Sequence, residues 1–365
     1  MTDLSARRPA APRRAAGWLT RLAGSRRFHD WAVRIPFLRG KVRREGEEMF
    51  DLVAGFCQSQ ILLALVATGV LERLRRGPAD AAALAAAASV PTERMQVLLR
   101  GGVALGLLRA GSPLRLTPRG AALLAVPGLA EMIRHHDVLY RDLSDPVAFF
   151  RGEVETELAD LWPYVFGAGA AQDPDRAARY SRLMQDSMGL VAQDTLAVID
   201  LHGVRRLMDV GGGTGAFLRA VAAACPGLDL TLFDLPAVTA AAQGLPARVT
   251  VRPGSFRDDP LPGGADAISL VRVLYDHDDA TVAALLRKVH SALPPRGRVI
   301  VSEPMTGCRA GDTYFALYCM AMRTGRARGA DEIGELLRSA GFCGLRAPAP
   351  RRAYVTSVIE AVRKS

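Results

Sequence analysis

Little in this 365-residue sequence points to a secreted protein or to a metal site. Five cysteines are scattered along the chain without the spacing of metal ligands, which indicates reduced thiols in a cytoplasmic protein. The arginine-rich N-terminus lacks a following apolar stretch and cleavage site, so no secretory signal is expected. Hydrophobic residues make up 49% of the chain and charged residues 23%, as in a globular protein long enough for two domains.

Acidic side chains are scarce in only one part of the chain. Residues 1–44 hold twelve Lys and Arg against two Asp, and the whole chain has a net charge of +10, so the rest is neutral on balance. Apolar residues lie among these arginines: Trp18, Phe28, Trp31, Ile35, Phe37 and Leu38. Such a basic N-terminal arm suits an anionic lipid surface. A solvated tail and an arm packed on a dimer partner are the alternatives. No nucleic-acid motif follows the arm, so no nucleic-acid partner is expected.

An uncharged stretch at residues 52–71 is about long enough to span a bilayer. Polar glutamines interrupt it, and turn-punctuated helical sequence follows at once, so it predicts a buried helix of a dimerisation domain instead. We expect this domain at residues 45–125, with a two-stranded wing that turns at Gly111. A winged helix is also a DNA-binding shape, but the helix before this wing carries few side chains suited to reading a groove.

The C-terminal part of the chain changes its pattern. Residues 126–200 predict a helical connection, and strands then alternate with helices over residues 201–365. This alternation predicts an α/β fold, a doubly wound and mainly parallel Rossmann-like sheet that binds its ligand at the carboxyl ends of the strands.

A glycine-rich loop joins the first strand of this sheet to a helix in the segment "MDVGGGTGAFLRAV". Gly211 and Gly213 allow a sharp turn and a close approach of the backbone to a ligand. A nicotinamide-binding loop has the spacing G-x-G-x-x-G, and Ala216 stands where its third glycine would fall. A dehydrogenase is therefore disfavoured. A winged-helix regulatory protein that binds a small ligand is a further alternative.

Two acids accompany the loop. Asp209 precedes it at the end of the strand, where a carboxylate can accept a hydrogen bond from an ammonium group. This fits the cationic methionine portion of S-adenosylmethionine better than a pyrophosphate, which prefers a bare helix N-terminus. Asp234 ends the next strand, where an acid reads the ribose hydroxyls in either cofactor class.

These segments together resemble the small-molecule O-methyltransferase family. The matching pieces are "DVGGGTG", "LFDLP", "RVTVRPGSF", "LVRVLYDHDD" and "VIVSEP", and "GEVETELADLWPYVFG" is similar to the carotenoid O-methyltransferases of purple photosynthetic bacteria. The resemblance implies a homodimer that uses S-adenosyl-L-methionine to methylate the tertiary 1-hydroxyl of an acyclic hydroxycarotenoid. It implies a cytoplasmic enzyme, with peripheral contact at the inner photosynthetic membrane left open. The alternative acceptor is another hydrophobic molecule, such as a phenol or a tetrapyrrole.

The resemblance also implies which residues hold the cofactor. Gly211 and Gly213 would lie at its methionine end and Asp234 at its ribose. Ser255 and Phe256 would lie around the adenine, where the family has Asp-Met or Asp-Phe, and Arg272 matches a basic position near the cofactor.

The base position departs from the family pattern. Members that methylate phenols have a histidine where this chain has Tyr275, and two glutamates that orient it. Glu303 matches one glutamate and Ala327 replaces the other. We expect Tyr275 either to orient the acceptor hydroxyl or to form a pocket wall, and Glu303 to accept the proton if it reaches. His277, two positions further on, is a weaker candidate for the base.

The substrate pocket of the family is lined by the connecting helix. His135 and His136 are adjacent on it and should point to different faces, so only one is expected to enter the pocket. The residues expected to line a long apolar tunnel are His136, Tyr140, Met184, Met188, Met320 and Met322.

Overall fold

The computed structural model describes residues 17, 20–22, 24–32, 35–160 and 187–364. The chain divides into two compact units, Met1–Thr117 and Pro118–Ser365. The first unit begins with helices and ends in a small antiparallel wing. Its elements are α1 (Arg26–Ala32), α2 (Pro36–Ala67), α3 (Val70–Arg76), α4 (Ala81–Ala88), α5 (Thr92–Ala104), β1 (Leu108–Arg109) and β2 (Arg115–Leu116).

Helix α2 is longer than the predicted helix and runs through residue 44, the expected end of the basic arm. Its C-terminal part is buried at Leu65 and Val66, where it packs on α5 at Gly102, which has no side chain to hold Leu65 away. Its middle part is 64–70% exposed, through the side chains of Met49, Phe50, Leu52, Val53 and Phe56.

The expected buried helix at residues 52–71 is therefore buried only at its end within this single chain. Among the described residues, the segment Phe37–Ala67 is the one helical stretch long and apolar enough to cross a membrane, and 11% of its most apolar window is buried. An exposed apolar face of this kind is also the usual mark of a protein–protein interface.

The second unit opens with helices and continues into a seven-stranded sheet. The helices are α6 (Pro118–Ala125), α7 (Leu129–Asp142), α8 (Pro146–Phe150), α9 (Glu157–Asp160), α10 (187–196), α11 (Ala216–Ala224), α12 (Pro236–Ala240), α13 (Asp279–Ala292), α14 (Ala316–Met322) and α15 (Ala330–Ser339). The strands are β3 (Arg206–Val210), β4 (Asp229–Asp234), β5 (Val249–Pro253), β6 (Ala267–Val271), β7 (Arg298–Glu303), β8 (Phe342–Arg346) and β9 (Ser357–Arg363).

The sheet has the order β5-β4-β3-β6-β7-β9-β8. The first five strands of this order are parallel, and β9 is antiparallel to both of its neighbours, β7 and β8. Strand β6 is buried along its whole length, as expected for a central parallel strand covered on both faces. The sequence pattern did not predict β8, since this edge strand is mostly exposed and irregular.

The strand order reverses beside β3, whose neighbours β4 and β6 lie on opposite sides of it. Crossovers then lead away from β3 in both directions, so a crevice opens at the carboxyl ends of these three strands. The glycine-rich loop follows β3, and the predicted ribose acid Asp234 ends β4. The fold thus brings the two predicted features to one edge of the sheet.

We predict that the exposed face of α2 forms a dimer contact. Phe56→Asp should weaken self-association about 30-fold or more, because a buried aromatic anchor is typically worth about 2 kcal/mol or more in an interface. Glu47→Lys is the control, since residue 47 lies on the opposite side of the helix by its spacing. Sedimentation velocity at micromolar concentration measures both variants. Equal self-association of Phe56→Asp and wild type would show that this face is not the contact.

Candidate active site

The glycine-rich loop is tightly packed at its first glycine. Gly211 has a φ of +69°, and a Cβ there would lie 2.8 Å from a methyl carbon of Val273. Gly213 also has a positive φ, of +61°, and both values lie in the left-handed region that favours glycine. The loop after β3 therefore lies directly against the residues that follow β6.

Asp209 is buried at the end of β3 beneath this loop. Ser269 Oγ donates a hydrogen bond of 2.6 Å to its Oδ1, whereas its Oδ2 has no partner among the described residues. Burial raises the pKa of Asp209 to about 7, against the smaller opposing effect of the bond from Ser269. A buried carboxylate oxygen with a free lone pair fits a cationic hydrogen-bond donor such as an ammonium group.

Asp234 connects β4 to the same loop. Its Oδ2 accepts the backbone N–H of Gly213 and its Oδ1 that of Leu235, each at 2.7 Å. Burial raises the pKa of Asp234 to about 6, and these two bonds lower it by less. Each carboxylate oxygen can accept a further bond, so Asp234 can bind a diol while it holds the loop in place.

The residues predicted around the adenine lie after β5. Ser255 Oγ donates to Asp258 Oδ2 at 2.9 Å, so its hydroxyl proton is used within its own turn. The ring of Phe256 is partly buried and lies edge-on to the ring of His277, with 5.2 Å between centroids.

His277 also contacts a cation. Arg257 Nη2 lies 3.1 Å from His277 Nδ1. Burial and the charge of Arg257 lower the pKa of His277 to about 4. The ring therefore lies with Phe256 and Arg257, an environment that makes it a weak base.

Glu303 holds the loop that contains the predicted base position. Its Oε1 accepts the backbone N–H groups of Val273 at 2.9 Å and Leu274 at 2.8 Å, and its Oε2 accepts that of Tyr275 at 3.3 Å. Burial raises its pKa to about 7, which these three bonds offset in part. Because both oxygens bind backbone, the geometry favours a role for Glu303 in positioning the loop over its predicted role as proton acceptor.

Arg328 holds the same loop from its other side and was not among the residues predicted from the sequence. Its Nη1 donates to the carbonyl of Leu274 and its Nη2 to that of His277, both at 2.8 Å. The buried guanidinium also pairs with Asp279. The only signal in the sequence was a basic residue directly after Ala327, which replaces a family glutamate.

Tyr275 is buried and lies beside Arg272. The Arg272 guanidinium carbon lies 5.9 Å from the centre of the Tyr275 ring, and Nη1 of the same arginine donates to Ser187 Oγ at 2.9 Å. Burial raises the pKa of Tyr275 well above its usual value, so its hydroxyl stays protonated. Tyr275 can therefore still take either predicted role, as a hydrogen-bond donor to the acceptor or as part of the pocket wall.

The two adjacent histidines of α7 contact two different tyrosines, and it stays a prediction that only one of these histidines enters the pocket. Tyr314 lies in a π-helical turn (Gly311–Phe315) and Tyr318 lies one turn later, in α14. His136 Nε2 lies 3.0 Å from the Tyr314 hydroxyl, and His135 Nε2 lies 3.1 Å from that of Tyr318. Both histidines thus reach the same helical segment.

Two other predicted pocket residues, Tyr140 and Met320, lie in different surroundings. Tyr140 lies edge-on to His136, with 6.5 Å between ring centroids. Met320 is 44% exposed and lines a cleft of about 310 Å³ with Phe149 and Phe150.

The other methionines do not all line a tunnel. Met322 is fully buried in a core cluster with Tyr318, so core packing replaces the predicted tunnel role. Met188 packs against the sheet core, and Met184 lies outside the described residues. Across the described part of the chain, no group of three His, Cys, Asp or Glu side chains is arranged to hold a metal ion.

The chain matches two family models. An O-methyltransferase domain matches residues 140–343, and an O-methyltransferase dimerisation domain matches residues 50–124. The first match covers more than half of the chain and includes the glycine-rich loop, both acids and the loop held by Glu303. The second match covers the exposed face of α2, so the predicted homodimer is supported.

Similar proteins extend over nearly the whole chain. Demethylspheroidene O-methyltransferase of Cereibacter sphaeroides is 60% identical over 94% of both chains. The enzyme of the same name from Rhodobacter capsulatus is 52% identical over 97% of this chain and 91% of its own.

Solved structures share the fold. CalO1, a methyltransferase in calicheamicin biosynthesis solved with SAH bound, is 27% identical over 88% of this chain and 98% of its own, with a TM-score of 0.74. Human N-acetylserotonin methyltransferase, solved with SAM, has the same TM-score and coverage at 24% identity and shows the fold alone. The predicted α/β fold preceded by a helical dimerisation domain is confirmed. The chain therefore belongs to the O-methyltransferase family, as an enzyme that uses S-adenosyl-L-methionine.

Proposed function

We propose that this enzyme methylates the tertiary 1-hydroxyl of an acyclic hydroxycarotenoid. The observation that carries the proposal is the identity of 60% and 52%, over nearly the full length, to two proteins named demethylspheroidene O-methyltransferase. Relatives named for other acceptors, such as acetylserotonin O-methyltransferase of mouse at 32%, are more distant.

The base position supports an aliphatic alcohol over a phenol. A phenol has a pKa near 10 and is readily activated by a histidine base. This chain has the buried Tyr275 there, with its pKa raised well above the usual value. A tertiary alcohol is too weak an acid to be ionised before the reaction, so it does not need that histidine.

The residues at the sheet edge fit the cofactor. We propose that Asp209 and the loop at Gly211 and Gly213 hold its methionine end, that Asp234 holds its ribose, and that Ser255, Phe256 and Arg272 lie near its adenine and its reacting end. When bound, S-adenosylmethionine supplies a methyl group on an electrophilic sulfonium. The protein then has to exclude water and align the acceptor oxygen with that methyl.

The acceptor pocket is proposed to lie between α7 and the segment around Tyr314. His136 contacts the Tyr314 hydroxyl, Tyr140 lies edge-on to His136, and the partly exposed Met320 lines a cleft with Phe149 and Phe150. Tyr275 is proposed to form the part of the pocket wall nearest the cofactor site.

We predict that the enzyme methylates a hydroxycarotenoid in preference to a phenol or a tetrapyrrole. The protein is incubated with labelled cofactor in three separate reactions, with a mixed carotenoid extract, a phenol or a tetrapyrrole, and the products are separated by chromatography. Selective labelling of a hydroxycarotenoid as its methyl ether is expected. Faster labelling of a phenol or of a tetrapyrrole would replace the proposed acceptor with that class.

We predict that Asp234→Ala lowers the affinity for S-adenosylmethionine about 100-fold or more. The change removes two charge-assisted hydrogen bonds to the ribose, each worth about 1.5–3 kcal/mol. Asp229→Ala is the matched control, because Asp229 begins the same strand at its opposite end and is exposed. Calorimetry measures binding, and circular dichroism checks the fold. Unchanged affinity in Asp234→Ala would remove Asp234 from the ribose site.

We further propose that the basic arm takes the enzyme to a membrane surface, where a water-insoluble carotenoid resides. Within the described part of the arm, Trp31 is 55% exposed and Phe37 is 91% exposed. Two of the basic residues, Lys41 and Arg43, lie within 4 Å of glutamates one turn later in α2. The charge available to lipid therefore lies mainly in residues 1–34.

We predict that deleting residues 1–34 weakens binding to phosphatidylglycerol vesicles about 100-fold or more and leaves S-adenosylmethionine affinity unchanged. The deletion removes eight basic and two acidic residues, each basic residue is worth roughly 1 kcal/mol at an anionic surface, and helix Pro36–Ala67 stays whole. Binding of the full chain should also fall as salt is added. Phosphatidylcholine vesicles are the control. Equal vesicle binding with and without the arm would identify it as a dimer-packing element.

A further inference from the structure

A partly buried histidine–tyrosine pair lies beside the proposed acceptor pocket. The Tyr314 hydroxyl and His136 Nε2 are 3.0 Å apart, and their ring centroids are 5.4 Å apart. Tyr314 stays partly accessible, whereas its neighbour Tyr318, which pairs with His135, is buried in a core cluster. The chain thus holds two similar pairs side by side, and only the tyrosine of the first is accessible to a bound molecule.

The accessible pair is connected to the loop held by Glu303 through its neighbour Tyr318. The rings of Tyr314 and Tyr318 stack with 5.9 Å between their centroids. Cys319 follows Tyr318 in the chain, and its Sγ lies 3.6 Å from the carbonyl oxygen of Tyr275, in the loop held by Glu303. Contacts between neighbouring side chains therefore lead from Tyr314 to that loop.

The protonation states of the pair are suited to proton transfer. Burial raises the pKa of Tyr314 to about 12. Burial and the neighbouring His135 lower the pKa of His136 to about 4. At neutral pH the tyrosine is therefore protonated and the imidazole is neutral, so the hydroxyl can donate to Nε2 while its oxygen accepts a bond from a bound alcohol.

The residues predicted from the sequence offer no equal route for a proton. Tyr275 keeps its own proton. Glu303 uses both oxygens on backbone N–H groups. His277 lies against Arg257 and Phe256. Methylation of an alcohol nevertheless releases a proton, and a group beside the acceptor oxygen has to take it.

We propose that Tyr314 binds the acceptor hydroxyl and that His136 takes its proton through Tyr314. This proposal rests on the proposed function. The acceptor oxygen forms the new C–O bond as the C–S bond of the sulfonium breaks, and the bonding electrons stay on sulfur. The proton of the acceptor hydroxyl moves to the Tyr314 oxygen while the Tyr314 proton moves to His136 Nε2. His136 then returns its proton to water after the ether leaves.

A base as weak as His136 is sufficient for this step. An ether oxygen that still carries its proton is positively charged and is a strong acid, so a neutral imidazole readily accepts the proton once the new bond has begun to form. Arg272 stabilises any negative charge that develops on the Tyr314 oxygen in between. The pair thus acts late in the reaction, in contrast to a histidine that ionises a phenol beforehand.

The test compares the two histidine–tyrosine pairs. Tyr314→Phe removes the relay hydroxyl. His136→Gln keeps a side-chain oxygen that can accept the Tyr314 hydrogen bond but cannot take a proton. Tyr318→Phe and His135→Gln are the matched controls in the neighbouring pair. Single-turnover and steady-state methyl transfer to the hydroxycarotenoid are measured, together with S-adenosylmethionine binding by calorimetry.

We expect kcat to fall about 100-fold in Tyr314→Phe and in His136→Gln, within the range of general acid–base catalysis. The KM of His136→Gln should stay within about threefold of wild type, since Tyr314 still binds the alcohol. Cofactor affinity should not change, and both controls should stay near wild-type kcat.

Two results would overturn the proposal. One is a kcat in Tyr314→Phe or His136→Gln that stays close to wild type. The other is an equal loss in the control pair, which would assign the effect to packing. If the wild type methylates a different hydroxyl acceptor and not the carotenoid, the proposed function fails. The same four variants, assayed with that acceptor, then still decide the role of the Tyr314–His136 pair.

Discussion

The buried carboxylate of Glu303 is the constraint on which the rest of the active site depends. It accepts three consecutive backbone N–H groups, those of residues 273–275, which would otherwise be buried without partners. The loop held in this way presses Val273 against Gly211 and so sets the course of the glycine-rich loop. Arg328 holds the carbonyl side of the same loop. Because Glu303 binds the N–H groups of this loop and Arg328 binds its carbonyl groups, the position of residue 275 is fixed. This holds whether that residue acts as a base or only lines the pocket.

Two buried carboxylates, Asp209 and Glu303, and the partly buried Asp234 share the carboxyl-terminal edge of the sheet, and none of the three forms a salt bridge with a described residue. Burial raises the pKa of Asp209, Asp234 and Glu303, and hydrogen bonds from backbone or from Ser269 offset only part of that effect. Keeping these desolvated carboxyl groups ionised costs free energy in the protein alone. A bound cation stabilises their ionised forms, so this edge of the sheet favours a cationic ligand. The arrangement therefore suits a sulfonium-containing amino acid far better than the phosphates of a dinucleotide.

Local patterns predicted the sheet and the cofactor edge, because both follow from short stretches of sequence. The loop at Gly211, the acid Asp234 and the parallel strands need only neighbours along the chain to be recognised. The edge strand β8 lacks a regular alternation, and Arg328 acquires its role only from carbonyls about fifty residues away. The partners of the two histidines were out of reach of local patterns for a similar reason. These partners, Tyr314 and Tyr318, are distant in the chain and lie one turn apart on a facing segment, so neighbouring side chains of α7 can each meet one of them.

The departures from the phenol-type site form one consistent set when the acceptor is an aliphatic alcohol. A histidine at position 275 is useful only if the acceptor can be ionised before methyl transfer, and a tertiary alcohol cannot be. What remains necessary is alignment of the oxygen and a route for a proton that becomes acidic during the transfer. Alignment can come from a rigid wall such as Tyr275, and the route from a weak neutral base one hydrogen bond away. The proposed relay through Tyr314 to His136 would supply this route while Glu303 continues to hold the loop at position 275.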